Sequence, residues 1–176
     1  MKYLLDFDRT LMDTDRLRAA AEDEEKLHLV GNPDFWEHYN ATDFLYTDVI
    51  AWLVSKDVAD VHILTAYKPS QGELAKLYQE GKIGSGGFSD HVGGVTVMDG
   101  QKGPVAAGIA RQWKEEELVV FVDDLLEQCV SVMGALPQAH CFLMCRSGAR
   151  PEAPLPAGLT AVSSLIEVDA IMDTLV

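Results

Sequence analysis

Basic side chains are scarce in this sequence: 14 Lys plus Arg stand against 28 Asp plus Glu, a formal net charge of −14 at pH 7. Such a surface repels nucleic-acid backbones and anionic membranes on average, which weighs against both as partners. A small anionic ligand is not excluded, because a metal ion and one or two local bases can reverse the field inside a cleft. Cysteine is sparse as well, with Cys129, Cys141 and Cys145 alone and no CxxC pair. Three cysteines without a histidine at ligand spacing argue against a zinc site and read as reduced core thiols. Long apolar runs are missing: none approaches the roughly 18–20 residues that a bilayer-spanning helix needs. The start of the chain lacks the look of a signal peptide, since a strand candidate opens at Lys2. A cytoplasmic protein without membrane attachment is the expectation.

What is present fits one folded domain. The 176 residues, 48% of them hydrophobic, suffice for a single core. Residues 2–7 (KYLLDF) form a short apolar run ending in carboxylates, the look of a buried parallel strand. Helix signals follow over about 13–30, 34–39 and 43–55, broken by Gly31, Asn32 and Pro33. Strand candidates then fall at 58–64, 95–98, 118–122 and 139–144, with helices expected at about 70–80, 104–113, 125–136 and 161–175. The glycine-rich stretch 81–94 and the proline-rich stretch 147–158 read as irregular. Strands alternating with helices predict an α/β, Rossmann-like three-layer sandwich with a mostly parallel central sheet. The helical stretch between the first two strands, about 13–56, is too short for an independent domain and reads as a small cap insertion.

The chemistry-bearing residues cluster at predicted strand ends. Asp6 and Asp8 lie two apart where the first strand finishes, so an extended chain points both side chains to one face. Asp123 and Asp124 close the strand LVVFV in the same way. In an open parallel sheet, ligands bind just beyond the carboxyl ends of the strands. Carboxylates gathered there repel one another unless a cation sits among them, and magnesium, a hard ion preferring oxygen, answers that repulsion. Taken singly, the first pair also fits solvated acids in a turn, and the second fits a helix N-cap. Thr65 ends the strand VHILT, with a hydroxyl able to reach a phosphate oxygen or to cap a helix. Lys102 precedes Gly103 and Pro104 at a helix start, where a cation opposes the helix dipole.

In this order the residues resemble the motifs of the haloacid-dehalogenase-like superfamily. Asp6-Phe7-Asp8-Arg9-Thr10-Leu11 is similar to its first motif, Asp-x-Asp-x-Thr; Thr65 resembles the second, Lys102 the third, and Val122-Asp123-Asp124 the fourth. The likeness covers roughly residues 2–146. It implies a phosphatase-branch hydrolase with Mg2+ as cofactor and a small phosphorylated metabolite as substrate. Asp6 would then be the nucleophile that forms an aspartyl-phosphate, and Asp8 the acid and base. Thr65 and Lys102 would hold the phosphoryl oxygens, and Asp6, the carbonyl of Asp8, Asp124 and Asp123 would hold the metal. Arg9, Thr10 and Ala66 would stand on the substrate side. Arg9 replaces a glycine of many relatives, and Ala66-Tyr67 replaces a polar residue after the second-motif threonine. Lys68 is the alternative to Lys102, because the loop before Lys102 is long. Arg16, His28, Trp36, His38 and Tyr39 are cap candidates to face the site. Competing readings are a binding or regulatory protein that keeps the metal site without turnover, and a nucleotide or nucleic-acid-end phosphatase, the latter disfavoured by the net charge.

Overall fold

A computed structural model describes residues 1–67, 72–114 and 116–175. Among the described residues there are six strands: β1 Lys2–Leu5, β2 Val61–Tyr67, β3 Gly94–Asp99, β4 Val119–Asp123, β5 His140–Met144 and β6 Leu159–Val162. They form one sheet in the order β3-β2-β1-β4-β5-β6, with every neighbouring pair parallel. Among the described residues six α-helices accompany them, the last after β6: α1 Thr14–Asp23, α2 Val49–Val54, α3 Glu73–Gly84, α4 Lys102–Ala110, α5 Leu126–Ala135 and α6 Leu165–Met172.

Strand side chains alternate between the two faces, and both faces are covered, which is why these strands are apolar throughout. Leu4, Leu64, Val119 and Phe121 pack against Ala106 and Ile109 of α4 and Cys129 and Val132 of α5. Tyr3, Leu5, Ile63, Val120 and Val122 pack on the other face against Leu17 of α1, Trp52 of α2, Ile83 of α3 and Val168 of α6. The result is the expected Rossmann-like three-layer α/β sandwich. No helix among the described residues is long and apolar enough to cross a membrane.

The sheet grows outward in both directions from the neighbours β1 and β4. That reversal of strand order opens a crevice at their carboxyl ends, the usual ligand position in such sheets. Asp6, just past β1, donates its backbone N–H to the Val122 carbonyl at 2.9 Å, so the two acidic strand ends lie side by side.

Several elements differ from the sequence expectation. Residues 161–175 do not form one helix: β6 pairs with β5 from Cys141↔Leu159 to Met144↔Val162. Ser164 then caps α6 by accepting from the Glu167 N–H. An edge strand of four residues carries too little periodicity to be read. The stretch 13–56 is less helical than expected. Glu25 takes a positive φ of 57° soon after α1 ends, and 3-10 turns follow at Leu27–Leu29, Pro33–Glu37 and Ala41–Phe44 before α2. Asn32 accepts from the Asp34 N–H just ahead of Pro33, which starts a new turn instead of continuing a helix. Residues 58–60, expected in strand two, form a 3-10 turn capped by Asp57. Conversely, α3 runs past the expected end at Glu80 to Gly84, and a 3-10 segment, Ser85–His91, occupies much of the glycine-rich stretch.

Candidate active site

The loop after β1 is closed by its own backbone. The Phe7 carbonyl accepts from the N–H groups of Leu11 and Met12, both at 2.9 Å, and the Arg9 N–H donates to Met12 at 2.8 Å. Arg9 pays for this tight path with a φ of 55°, a left-handed conformation costing a side-chain-bearing residue about 1–2 kcal/mol. Its guanidinium turns outward to Asp15, at 2.9 Å through Nη2. Thr10, expected on the substrate side, is fully enclosed instead. Its carbonyl accepts from Arg146 Nε at 2.9 Å and Nη2 at 2.7 Å, and Arg146 is held by both oxygens of Asp48 at 2.8 and 2.9 Å. Thr10 therefore anchors the loop through its carbonyl, while its buried hydroxyl has no hydrogen-bond partner among the described residues.

Lys102 occupies the first turn of α4 and points into the strand tips. Its backbone N–H donates to Gln128 Oε1 at 2.8 Å, and the next N–H, from Gly103, donates to Ser131 Oγ at 3.0 Å. Two side chains of α5 thus satisfy donors that a helix start leaves open. Gly103 permits this approach, because a Cβ there would run into the Ser131 carbonyl. The Lys102 ammonium, 2% exposed, donates to Asp6 Oδ1 and to Asp123 Oδ2, the latter at 2.6 Å. Burial opposes its charge, yet the two carboxylates hold the ammonium above its ordinary value.

Asp6, Asp123 and Asp124 each place a carboxylate oxygen within 4.8 Å of the others. Burial, only partly offset by Lys102 and reinforced by Asp123 and Asp8, pushes Asp6 up to about 7. Burial and then Asp6 push Asp124 up to about 7 as well. Asp123 is also raised, by burial against the pull of Lys102. Its second oxygen accepts from the Leu125 N–H at 2.9 Å, so Asp123 lends charge more than a free ligand atom. Asp124 is partly open and lines the cavity. A set of hard carboxylate oxygens suits a hard divalent cation of the magnesium type.

The carboxylate of Asp8 stands outside this triad. It accepts from Lys82 Nζ at 2.8 Å through both oxygens, from Gln79 Nε2 at 2.7 Å and from Thr14 Oγ1 at 2.8 Å. Burial alone would raise its pKa; Lys82 and these hydrogen bonds hold it below the ordinary aspartate value. Gln79 Nε2 also donates to Thr65 Oγ1 at 2.7 Å, which leaves the threonine hydroxyl proton free for another acceptor. Lys82 and Gln79 did not emerge from the sequence. The signal was there: Ala75, Gln79, Lys82 and Ile83 are the buried residues of α3, so two polar side chains sit on its inward stripe.

Charge accounting follows from these pairs. Asp8 and Lys82 neutralise each other, whereas the triad of Asp6, Asp123 and Asp124 has Lys102 alone, a formal surplus of two negative charges. A cavity of about 110 Å³ opens here, lined by Asp6, Asp8, Arg9, Ala66, Lys102, Asp124, Leu125 and Gln128. Of the expected site residues, Asp6, Asp8, Arg9, Ala66, Lys102 and Asp124 meet at it, with Thr65 buried behind through Gln79 and Thr10 buried outside its lining. Lys68 lies outside the described residues. None of the five cap candidates lines this cavity. Trp36 donates to the Tyr78 carbonyl at 2.8 Å, Tyr39 donates to Glu24 at 3.0 Å, and Arg16 reaches the Asp43 carbonyl. His28 and His38 are exposed.

A parallel sheet in this order is shared with solved haloacid dehalogenase-like hydrolases. Solved structures agree on the fold. A haloacid dehalogenase-like hydrolase from Burkholderia xenovorans LB400 superposes with a TM-score of 0.65 at 18% identity, covering 96% of each chain. The magnesium-bound HAD-hydrolase YfnB from Bacillus subtilis gives 0.59 at 13% identity over 98% of each chain. A 2-haloacid dehalogenase from Pseudomonas syringae pv. Tomato gives 0.61 at 13% identity over 100% of each. No protein-family model and no curated protein sequence matches the chain.

Proposed function

We propose that this chain is a magnesium-dependent phosphohydrolase that removes phosphate from a small phosphomonoester through an aspartyl-phosphate at Asp6. The observation that carries this reading is the Asp6, Asp123 and Asp124 triad with one buried lysine among it, a formal surplus of two negative charges when all three carboxylates are ionised. An anionic substrate cannot approach such a site until a divalent cation offsets it. Dehalogenation, the activity named for several of the neighbours, fits less well. A haloacid also brings a carboxylate, and attack on carbon gives no use for a three-carboxylate cation site.

Asp6 and Asp124 would hold the ion with the Asp8 carbonyl, and Asp123 would add its charge. When bound, magnesium would lower the repulsion between substrate and carboxylates and stabilise charge on the transferred group. Asp6 attacks the phosphorus and an ester P–O bond breaks; Asp8, ionised beside Lys82 in the resting site, first takes up a proton from solvent and then gives it to the leaving oxygen. Water then attacks the acyl phosphate and loses its proton to Asp8, which frees Asp6 and inorganic phosphate. Lys102, already on Asp6, and the free Thr65 hydroxyl proton hold the phosphoryl oxygens. The cavity of about 110 Å³ suits a phosphoryl group, and the turn-rich segment between β1 and β2 acts as a small cap at its side.

Purified protein is expected to hydrolyse p-nitrophenyl phosphate with magnesium, and to lose that activity on chelation or in Asp6→Asn. Turnover without magnesium, or full turnover in Asp6→Asn, contradicts the reading.

A further inference from the structure

The buried groups that this scheme leaves without a task are Lys82 and Gln79. Lys82 is 4% exposed, and an ammonium at that depth persists only when paired and hydrogen-bonded. It donates to both oxygens of Asp8 and to Gln79 Oε1, each at 2.8 Å. Gln79 in turn spends its amide on Asp8 and Thr65, each at 2.7 Å. One turn of α3 therefore ties together two side chains from separate strand tips, the carboxylate after β1 and the hydroxyl of β2.

Stability alone gives no reason for this arrangement. Buried ion pairs contribute little over apolar residues of the same size. Helix α3 already has apolar anchoring through Ile83 and through Tyr78 packed on Phe35 and Trp36. The two polar residues sit three apart on the inward stripe and face the strand tips, where the reacting groups are. We propose that Lys82 is a positioning residue: it fixes the Asp8 carboxylate and, through Gln79, sets Asp8 and Thr65 in register with the phosphoryl group. This inference rests on the phosphohydrolase reading above.

The consequence depends on the leaving group. In the first step the P–O bond to Asp6 forms, the ester P–O bond breaks, and a proton that Asp8 has taken up from solvent goes to the departing oxygen. A nitrophenolate leaves without that proton, whereas a phenolate needs it more. In the second step the water–phosphorus bond forms, the Asp6–phosphorus bond breaks, and Asp8 takes the water proton whatever the ester was. Loss of Lys82 therefore spares phosphorylation by p-nitrophenyl phosphate, slows phosphorylation by phenyl phosphate, and slows hydrolysis of the intermediate in both cases.

The test compares wild type, Lys82→Met, Lys82→Arg and Gln79→Met on these two esters with magnesium. Lys82→Met is expected to lose about 100-fold in kcat on phenyl phosphate, the scale of a small misplacement of a reacting group, with KM little changed. On p-nitrophenyl phosphate it should give a burst of nitrophenolate followed by a slow steady state. Lys82→Arg should recover part of the loss, and Gln79→Met should show the same leaving-group dependence. A Lys82→Met protein that is folded yet matches wild type in kcat on both esters, or is impaired only in KM, overturns the inference. If Lys82→Met does not fold, Gln79→Met with unchanged kcat overturns it. A wild-type protein that neither turns over the esters nor carries phosphate on Asp6 overturns the phosphohydrolase reading and this inference together. An active wild type with indifferent variants overturns this inference alone.

Discussion

At the scale of single residues, burial and pairing set what each aspartate can do. Asp6 and Asp8 are neighbours in sequence with opposite surroundings: Asp6 is raised by burial against Lys102, and Asp8 is lowered by Lys82 and its hydrogen bonds after burial is overcome. Asp124, like Asp6, stands to gain from a cation, since burial and Asp6 push it to about 7 from an ordinary 3.8. In chelator its folded state binds a proton more tightly than the unfolded chain does, so between about pH 4 and 7 this group lowers stability as pH rises. Asp124→Asn removes that penalty. Its melting temperature in chelator is expected to exceed that of wild type at pH 7.5, with the gap closing toward pH 4, as thermal melts across that range would record. A variant that melts lower at pH 7.5 contradicts the assignment. The acidic pairs were legible in the sequence because they terminate apolar strands, a pattern that needs no tertiary information. Lys82 and Gln79 were not, because placing the helix end at Glu80 left Lys82 in a presumed loop.

At the scale of elements, the site depends on how α4 meets α5. Gln128 and Ser131 of α5 receive the first N–H groups of α4, and this seating aims Lys102 between Asp6 and Asp123. Gly103→Ala places a methyl against the Ser131 carbonyl, and such overpacking costs about 1–3 kcal/mol. Chemical denaturation should show that loss, and magnesium-dependent activity should fall further than stability does because Lys102 moves with the helix. Unchanged stability and activity would mean that the two helices are not seated as described. The lysine was legible as a cation at an unfavourable helix position, but its seat was not, since the capping groups come from 26 and 28 residues away. The same distance effect hid β6, whose pairing with β5 supplies order that four residues do not carry alone. It also hid the replacement of expected helices by 3-10 turns between α1 and α2, where aromatic packing of Phe35, Trp36 and Tyr39 outweighs local helical preference.

At the scale of the whole molecule, the strand order brings residues from four parts of the chain to one crevice. Only β1 and β4, at the reversal of strand order, can set Asp6 beside Asp123 and Asp124, and β2 and α4 then close in with Thr65 and Lys102. The alternation of strands and helices made this architecture readable, because apolar strands covered on both faces leave few other solutions. The net charge of −14 opposes an approaching anion globally as the triad opposes it locally. The central claim is therefore that a divalent ion binds among Asp6, Asp123 and Asp124. Calorimetric titration of magnesium into the wild-type protein and into Asp124→Asn tests it most directly. The expected result is saturable binding of one ion per chain in the wild type and its loss in the variant; no binding, or equal binding in both, would contradict the account.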